Sequence, residues 1–314
     1  MSVEHYDLLI AGGGPAGLTA ALYGQRLGLS TVVCGDIPGG SMYMIENLSN
    51  FPGLPGGSSG TELGLKIFQQ AQAEGARFTM SRLKKLHFLD NAFKGLDENE
   101  QTHTAPVGIL ATGRSPIELP SQKKPLKGVN FCSICDGPLY RNQNASLAVI
   151  GSDNIAAQHA LTLSRIADKV LLIHRSIEAR MDRTHAALLS GRKNIFIKGG
   201  TEVLAYKGLE SIGALAVRSS KGESYEIPID GVFPAIGWRA NIDVLDFPVD
   251  LSSDGYLKTD LGLMTSVPGL FAAGDVRNTD LRQVLTACAD GARAAVCAAA
   301  YISRNRLEGS RESD

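Results

Sequence analysis

Twice along this chain a short apolar run enters a glycine turn and leaves it as a helix, and no other feature restricts the fold so tightly. Tyr6 to Ala11, YDLLIA, leads into GGGPAG and then LTAALYGQRLGL, whose apolar residues recur at helical spacing. A second strand follows, STVVC from Ser30 to Cys34. Runs this apolar suit parallel strands buried on both faces, and strand–helix–strand order implies a right-handed crossover. From Ala145 the pattern begins again, with LAVIGS as strand, AAQHALTLSRIA as helix and KVLLIHR as strand. The expectation is an α/β fold of two Rossmann-like, three-layer domains. GLFAAGDV, Gly269 to Val276, resembles the strand and acidic turn of the first unit but comes after the second. The first domain is therefore expected to be discontinuous, residues 1–116 with 246–314, and the second, residues 117–245, to be inserted in it.

The first turn carries a specific chemistry. Gly12, Gly14 and Gly17 fit G-x-G-x-x-G, with Pro15 and Ala16 opening the helix. One glycine allows the tight turn, one lets the backbone approach a pyrophosphate, and one allows close helix packing. The phosphates of a dinucleotide then lie on free N–H groups at the positive end of the helix. The turn alone does not choose between FAD and NAD(P). No acidic residue ends the second strand, where Cys34 and Gly35 stand with Asp36 just beyond. The second turn reads Gly151, Ser152, Asp153, Asn154, Ile155, Ala156. A carboxylate thus stands where its second glycine belongs.

Bulk properties exclude several classes. A chain of 314 residues is long for one core and comfortable for two. A net charge of −1 argues against nucleic acid or an anionic membrane as the main partner, since both favour a basic excess. No apolar run reaches the length of a membrane span, and MSVEHYDLLI has no basic region ahead of a long apolar core. A cytoplasmic protein is expected. Five cysteines are too few and too scattered for a disulfide scaffold, although two of them lie close together.

That pair is in FCSICDG. Cys132 and Cys135 have the spacing at which two thiols close a small disulfide, one thiolate attacking and the other resolving. Zinc wants four ligands, and no second pair or adjacent histidine supplies them, so no metal site is expected. Asp136, beside the second cysteine, can shuttle a proton to a thiol or a reduced flavin.

With these residues in view, the chain resembles the low-molecular-weight thioredoxin reductases over nearly its whole length. The matching segments, in family order, are GGGPAG, PGGSM with NFPG, ILATG, CSICDG, the turn at Gly151, HRSIEAR, and GDVRNTDLRQVLTACADGARAA. The resemblance implies FAD in the first domain. It would be held by Gly12 to Gly17, by Gly35, Asp36, Gly39, Gly40, Ser41 and Met42, and by Asn50. Thr112 and Gly113 of ILATG would join them, with Gly274, Asp275, Arg282, Gln283 and Val284. It also implies a Cys132–Cys135 disulfide reduced by that flavin, Asp136 as acid–base partner, and a homodimer. Ser41 departs from the family, which usually has glutamine there.

The second site departs further. In the family it binds NADPH through G-x-G-x-x-A and H-R-R-x-x-x-R, whereas this chain has Asp153 in the turn and His174, Arg175, Ser176 and Arg180 in the clamp. A serine hydroxyl does not replace the bidentate, permanently charged arginine fork. The expectation is a flavin-dependent disulfide oxidoreductase with a degenerate NADPH site, acting with a thiol/disulfide protein or a small dithiol. Its electrons would come from ferredoxin or another carrier, and a second FAD is an open possibility. The alternatives are an NADPH-dependent thioredoxin reductase, an O₂-using dithiol oxidase that forms disulfides in small molecules, and a non-enzymatic flavin-binding sensor.

Overall fold

The computed structural model describes residues 3–45, 48–117, 119, 126–134 and 136–311. It divides into two compact units: Met1–Ser115 with Arg239–Asp314, and Pro116–Trp238.

The larger unit is built on a five-stranded parallel sheet in the order Leu270–Ala272, Val107–Leu110, Leu8–Ala11, Thr31–Cys34, Arg77–Phe78. Its three central strands are buried along their whole length, which explains why they read as unbroken apolar runs. Side chains alternate between the faces. Leu8, Ile10 and Val33 pack against helices Pro15–Arg26, Gly60–Ala73 and Val284–Arg311, while Leu9, Ala11 and Val32 pack against Leu83, Leu86 and Phe93 of a four-stranded sheet. The result is three layers. The last helix runs on through the polar segment from Arg306 as far as Arg311.

The smaller unit repeats this plan. Its parallel sheet runs Ile195–Lys198, Lys169–Ile173, Ser146–Ile150, Gly231–Pro234. Leu147, Val149, Val170 and Leu172 face helices Asn154–Leu163 and Arg183–Ser190. Ala148, Ile150 and Leu171 face a three-stranded antiparallel sheet formed from residues 201–228. The α/β class with two Rossmann-like domains is therefore the observed one. Among the described residues no helix is long and apolar enough to cross a membrane.

The insertion ends earlier than residue 245. Residues 239–245 belong to the larger unit, where Ala240 is in the core with Ile242, Val244 and Leu245 packed on it. The Leu86 amide donates to the Val244 carbonyl at 2.6 Å. Beyond Gly237 the run WRANIDVL has no glycine or proline, so its apolar residues suit either unit until a neighbouring strand claims them.

Candidate functional site

The first turn shows which of its glycines the protein itself requires. A Cβ on Gly12, whose φ is +112°, would lie 2.3 Å from the Ala111 carbonyl oxygen, and one on Gly17 would lie 1.9 Å from that of Gly12. Those two are demanded by packing. Gly14 is different: its φ of −74° suits any residue, and a Cβ there would meet no packed atom within 4 Å. Gly14 is also the N-cap of helix Pro15–Arg26, with no side chain capping the helix and no acidic residue in its first turn. A bare helix N-terminus beside open space is what a pyrophosphate needs. The turn fits a dinucleotide.

The expected cofactor residues fall in three groups around this sheet edge. Gly35, Gly39 and Gly40 back onto the turn: the Gly39 amide donates to the Gly13 carbonyl at 2.8 Å, and a Cβ on Gly40 would stand 2.9 Å from Cα of Gly14. Met42 is buried with Leu48 and Leu63, and Val284 packs on that cluster, so these two hold the loop from beneath. Ser41 is exposed. Asn50 and Gln283 meet directly, Nδ2 to Oε1 at 3.0 Å. Asp36 is engaged by Arg82 at 2.7 Å; burial opposes its ionisation, but the guanidinium's hydrogen bond prevails and holds its carboxyl below the usual range. At the third place, Thr112 and Gly113 continue one strand while Gly274 and Asp275 continue its neighbour. A Cβ on Gly274 would come within 3.0 Å of the Ala16 Cβ. Burial pushes the Asp275 carboxyl up, and Arg114 and Arg282 pull it back.

Three residues of this region escaped the sequence reading. Asn241 accepts the Thr112 hydroxyl at its carbonyl (2.6 Å) and donates its own amide to the Gly113 carbonyl (3.0 Å). Asp290 accepts from the Gly274 amide at 3.1 Å. Arg114 pairs with Asp275 at 3.2 Å. Arg114 and Asn241 lie outside the quoted motifs, and Asp290, within GDVRNTDLRQVLTACADGARAA, carried no expected role.

The second turn has the same first glycine and a different second position. A Cβ on Gly151 would lie 2.6 Å from the Ala235 carbonyl oxygen, as Gly12 does against Ala111. Asp153 is the N-cap of helix Asn154–Leu163, and its carboxylate accepts from the Ala156 amide at 3.0 Å. The protein's own anion thus takes a donor that a phosphate would use. The mouth is strapped as well. Arg180, expected in the 2′-phosphate clamp, donates its backbone amide to the Ser152 carbonyl (2.7 Å) and Nε to the Ser152 hydroxyl (3.2 Å). Asn154 and Asp182 exchange two hydrogen bonds of 2.9 Å. Ser176 lies within 3.3 Å of His174 Nδ1, and Arg175 is exposed.

The cysteine segment sits on the smaller unit. The Asn130 amide donates to the Val232 carbonyl at 2.8 Å, which ties the segment to the parallel sheet. A turn follows, with the Asp136 amide donating to the Cys132 carbonyl at 2.9 Å. Ser133 is buried and Ile134 exposed. Cys132 is disulfide-bonded; Cys135 lies outside the described residues. Trp238, the chain's only tryptophan, packs edge-on against Phe131 at 5.5 Å between ring centroids. The remaining cysteines, Cys34, Cys288 and Cys297, are free. Burial drives the Cys34 thiol up to about 12 and also raises that of Cys288, so neither is a ready thiolate.

Known proteins resemble this chain along nearly its whole length. The pyridine nucleotide-disulphide oxidoreductase family matches residues 6–291. The thioredoxin reductase of Treponema pallidum is 36% identical over 302 residues, covering 95% of this chain and 97% of its own. That of Mycoplasma genitalium is 34% identical, covering 92% and 93%. The crystal structure of thioredoxin reductase from Streptococcus pyogenes superposes with a TM-score of 0.85 at 29% identity, over 96% of this chain and all of the other. On this fold and these matches, the chain belongs to the pyridine nucleotide-disulphide oxidoreductases, as a thioredoxin reductase-like flavoprotein acting on disulfides.

Proposed function

We propose that this enzyme passes electrons between FAD in the larger unit and the Cys132–Cys135 disulfide without NADPH as its donor. The cofactor would be held by the Gly12–Gly17 turn, the loop from Gly35 to Met42, Asn50 with Gln283, Thr112–Gly113, and Gly274–Asp275 with Arg282 and Val284. When bound, the flavin supplies a carrier of two electrons. On receiving them with two protons, the disulfide opens to two thiols. Asp136 gives and takes the proton at the thiol beside it. The dithiol then reduces a thiol/disulfide protein or a small disulfide, re-forming its own bond.

The single observation that carries the donor claim is the hydrogen bond from the Ala156 amide to the Asp153 carboxylate. At about 4 Å two like charges repel by roughly 1 kcal/mol in water and several times that at a protein-like dielectric. Loss of one clamp arginine to Ser176 acts in the same direction. Electrons would then come from ferredoxin or another carrier.

The test is an anaerobic titration with NADPH that follows flavin absorbance and counts flavins per chain. Absorbance unchanged by NADPH but bleached fully by dithionite is the expected result. Stoichiometric bleaching at low NADPH would leave an NADPH-dependent thioredoxin reductase. Two flavins per chain would assign the smaller unit a second FAD. Sedimentation of the same sample tests the expected homodimer.

A further inference from the structure

We infer that Arg114 is a positioning residue for the flavin, aiming the Asp275 carboxylate at the cofactor through a direct ion pair. The inference rests on FAD lying in the larger unit and is independent of the electron donor. Asp275 follows strand Leu270–Ala272, and Arg114 follows Val107–Leu110, its parallel neighbour. Both therefore stand at the carboxyl-terminal edge of the sheet, where ligands of open α/β folds bind. Nε of Arg114 is 3.2 Å from Oδ2 of Asp275, and the two side chains are 21% and 30% exposed. A pair this shielded is less screened than one on the open surface.

The other charged groups facing Asp275 are committed elsewhere. Asp290 accepts from the Gly274 amide at 3.1 Å and from Arg277 at 3.3 Å. Arg282 lies over the Tyr256 ring, 4.2 Å from its centroid, and its Nη2 donates to the Arg277 carbonyl at 3.4 Å. Among the described residues the Arg282 Nε is buried without a hydrogen-bond partner, a further sign that this edge is built for a polar ligand. Burial alone favours the protonated Asp275 carboxyl, and Arg114 is the foremost charge opposing it. A protonated carboxyl would turn from a pure acceptor into a donor. The backbone that carries Arg114 is pinned on both sides: Asn241 bonds Thr112 and Gly113 before it, and the Ser115 hydroxyl donates to Asn241 Oδ1 at 2.9 Å after it. The strand end that carries Arg114 is thus fixed by the protein's own hydrogen bonds.

The experiment measures FAD dissociation from the purified full chain on dilution, by the rise in free-flavin fluorescence, across a pH series. The variants are R114M, R114K, D275N and R114M/D275N, with circular dichroism reporting the fold. R114M is expected to release FAD with about tenfold weaker affinity at neutral pH, and more weakly still as pH falls and Asp275 takes up a proton. R114K should recover part of the loss, and in the D275N background R114M should change little. Wild-type affinity for R114M at every pH, or an equal loss with and without Asp275, would overturn the role of Arg114. If D275N alone binds FAD as wild type does, the flavin is not held at Asp275 and the site assignment itself falls.

Discussion

The two glycine turns share a strand, a packed first glycine and a helix, and they part at one position, Gly14 in the larger unit and Asp153 in the smaller. At Gly12 and Gly151 glycine is required by the protein, because a Cβ would drive into a neighbouring carbonyl at 2.3 and 2.6 Å. At Gly14 no packing among the described residues requires it. A glycine that packing does not need is explained by a ligand that must approach. Asp153 shows the alternative, in which a residue with a side chain enters the same place and caps the helix with its own carboxylate. One turn leaves its helix N-terminus without a side-chain cap, and the other gives its Ala156 amide to its own Asp153 carboxylate.

The comparison can be broken most directly by exchanging the two residues. Copying the second turn into the first, Gly14→Asp, should leave the fold intact but weaken FAD binding by about 100-fold or more, since charge repulsion adds to bulk. Flavin per chain after purification, set beside the melting temperature, is the measurement. A G14D protein that retains its flavin would mean that the turn does not hold the cofactor's phosphates. The reverse exchange is expected to be smaller. Asp153→Gly with Ser176→Arg should tighten NADPH binding by roughly 10-fold or more, read by calorimetry, because it frees an amide and restores one fork. No gain would show that the strap at Ser152 and Asn154 excludes the nucleotide by itself.

Smaller effects sharpen the picture. Asp153→Ala removes an N-cap and should cost about 1 kcal/mol of stability, a fall of a few degrees in melting temperature. No change would mean that the carboxylate is not the cap. Arg180→Ala removes an exposed side-chain contact with Ser152 and should alter stability by less than about 0.5 kcal/mol. A larger loss would make the strap, and not the cap, the main support of the second turn.

Much of this architecture was legible before any coordinates. The central strands of both parallel sheets are buried on two faces, so they stand out as apolar runs with glycine turns between them. The mixed four-stranded sheet and the antiparallel three-stranded sheet did not stand out. Leu83–Leu89 alternates buried and exposed residues irregularly, with a bulge between Leu83 and Lys85, and a half-covered strand of this kind has no simple period. The end of the insertion was placed too late for a related reason, since Ala240 to Leu245 are apolar enough to serve either unit.

The candidate site divides along the same line. What the sequence by itself determined is whatever spans a few residues. The glycine turns, the CxxC spacing and the cap from Asp153 to the amide three residues on are local, and local geometry follows from residue order. What only the tertiary structure decided is which distant groups meet. Arg114 finds Asp275 across 161 residues, and Asn241 finds Thr112 across 129. Asp36 faces Arg82 instead of standing free. The space beside Gly14 is open because of how the surrounding backbone packs. No spacing encodes such meetings, because a buried charge is satisfied by whatever the folded sheets bring to its edge.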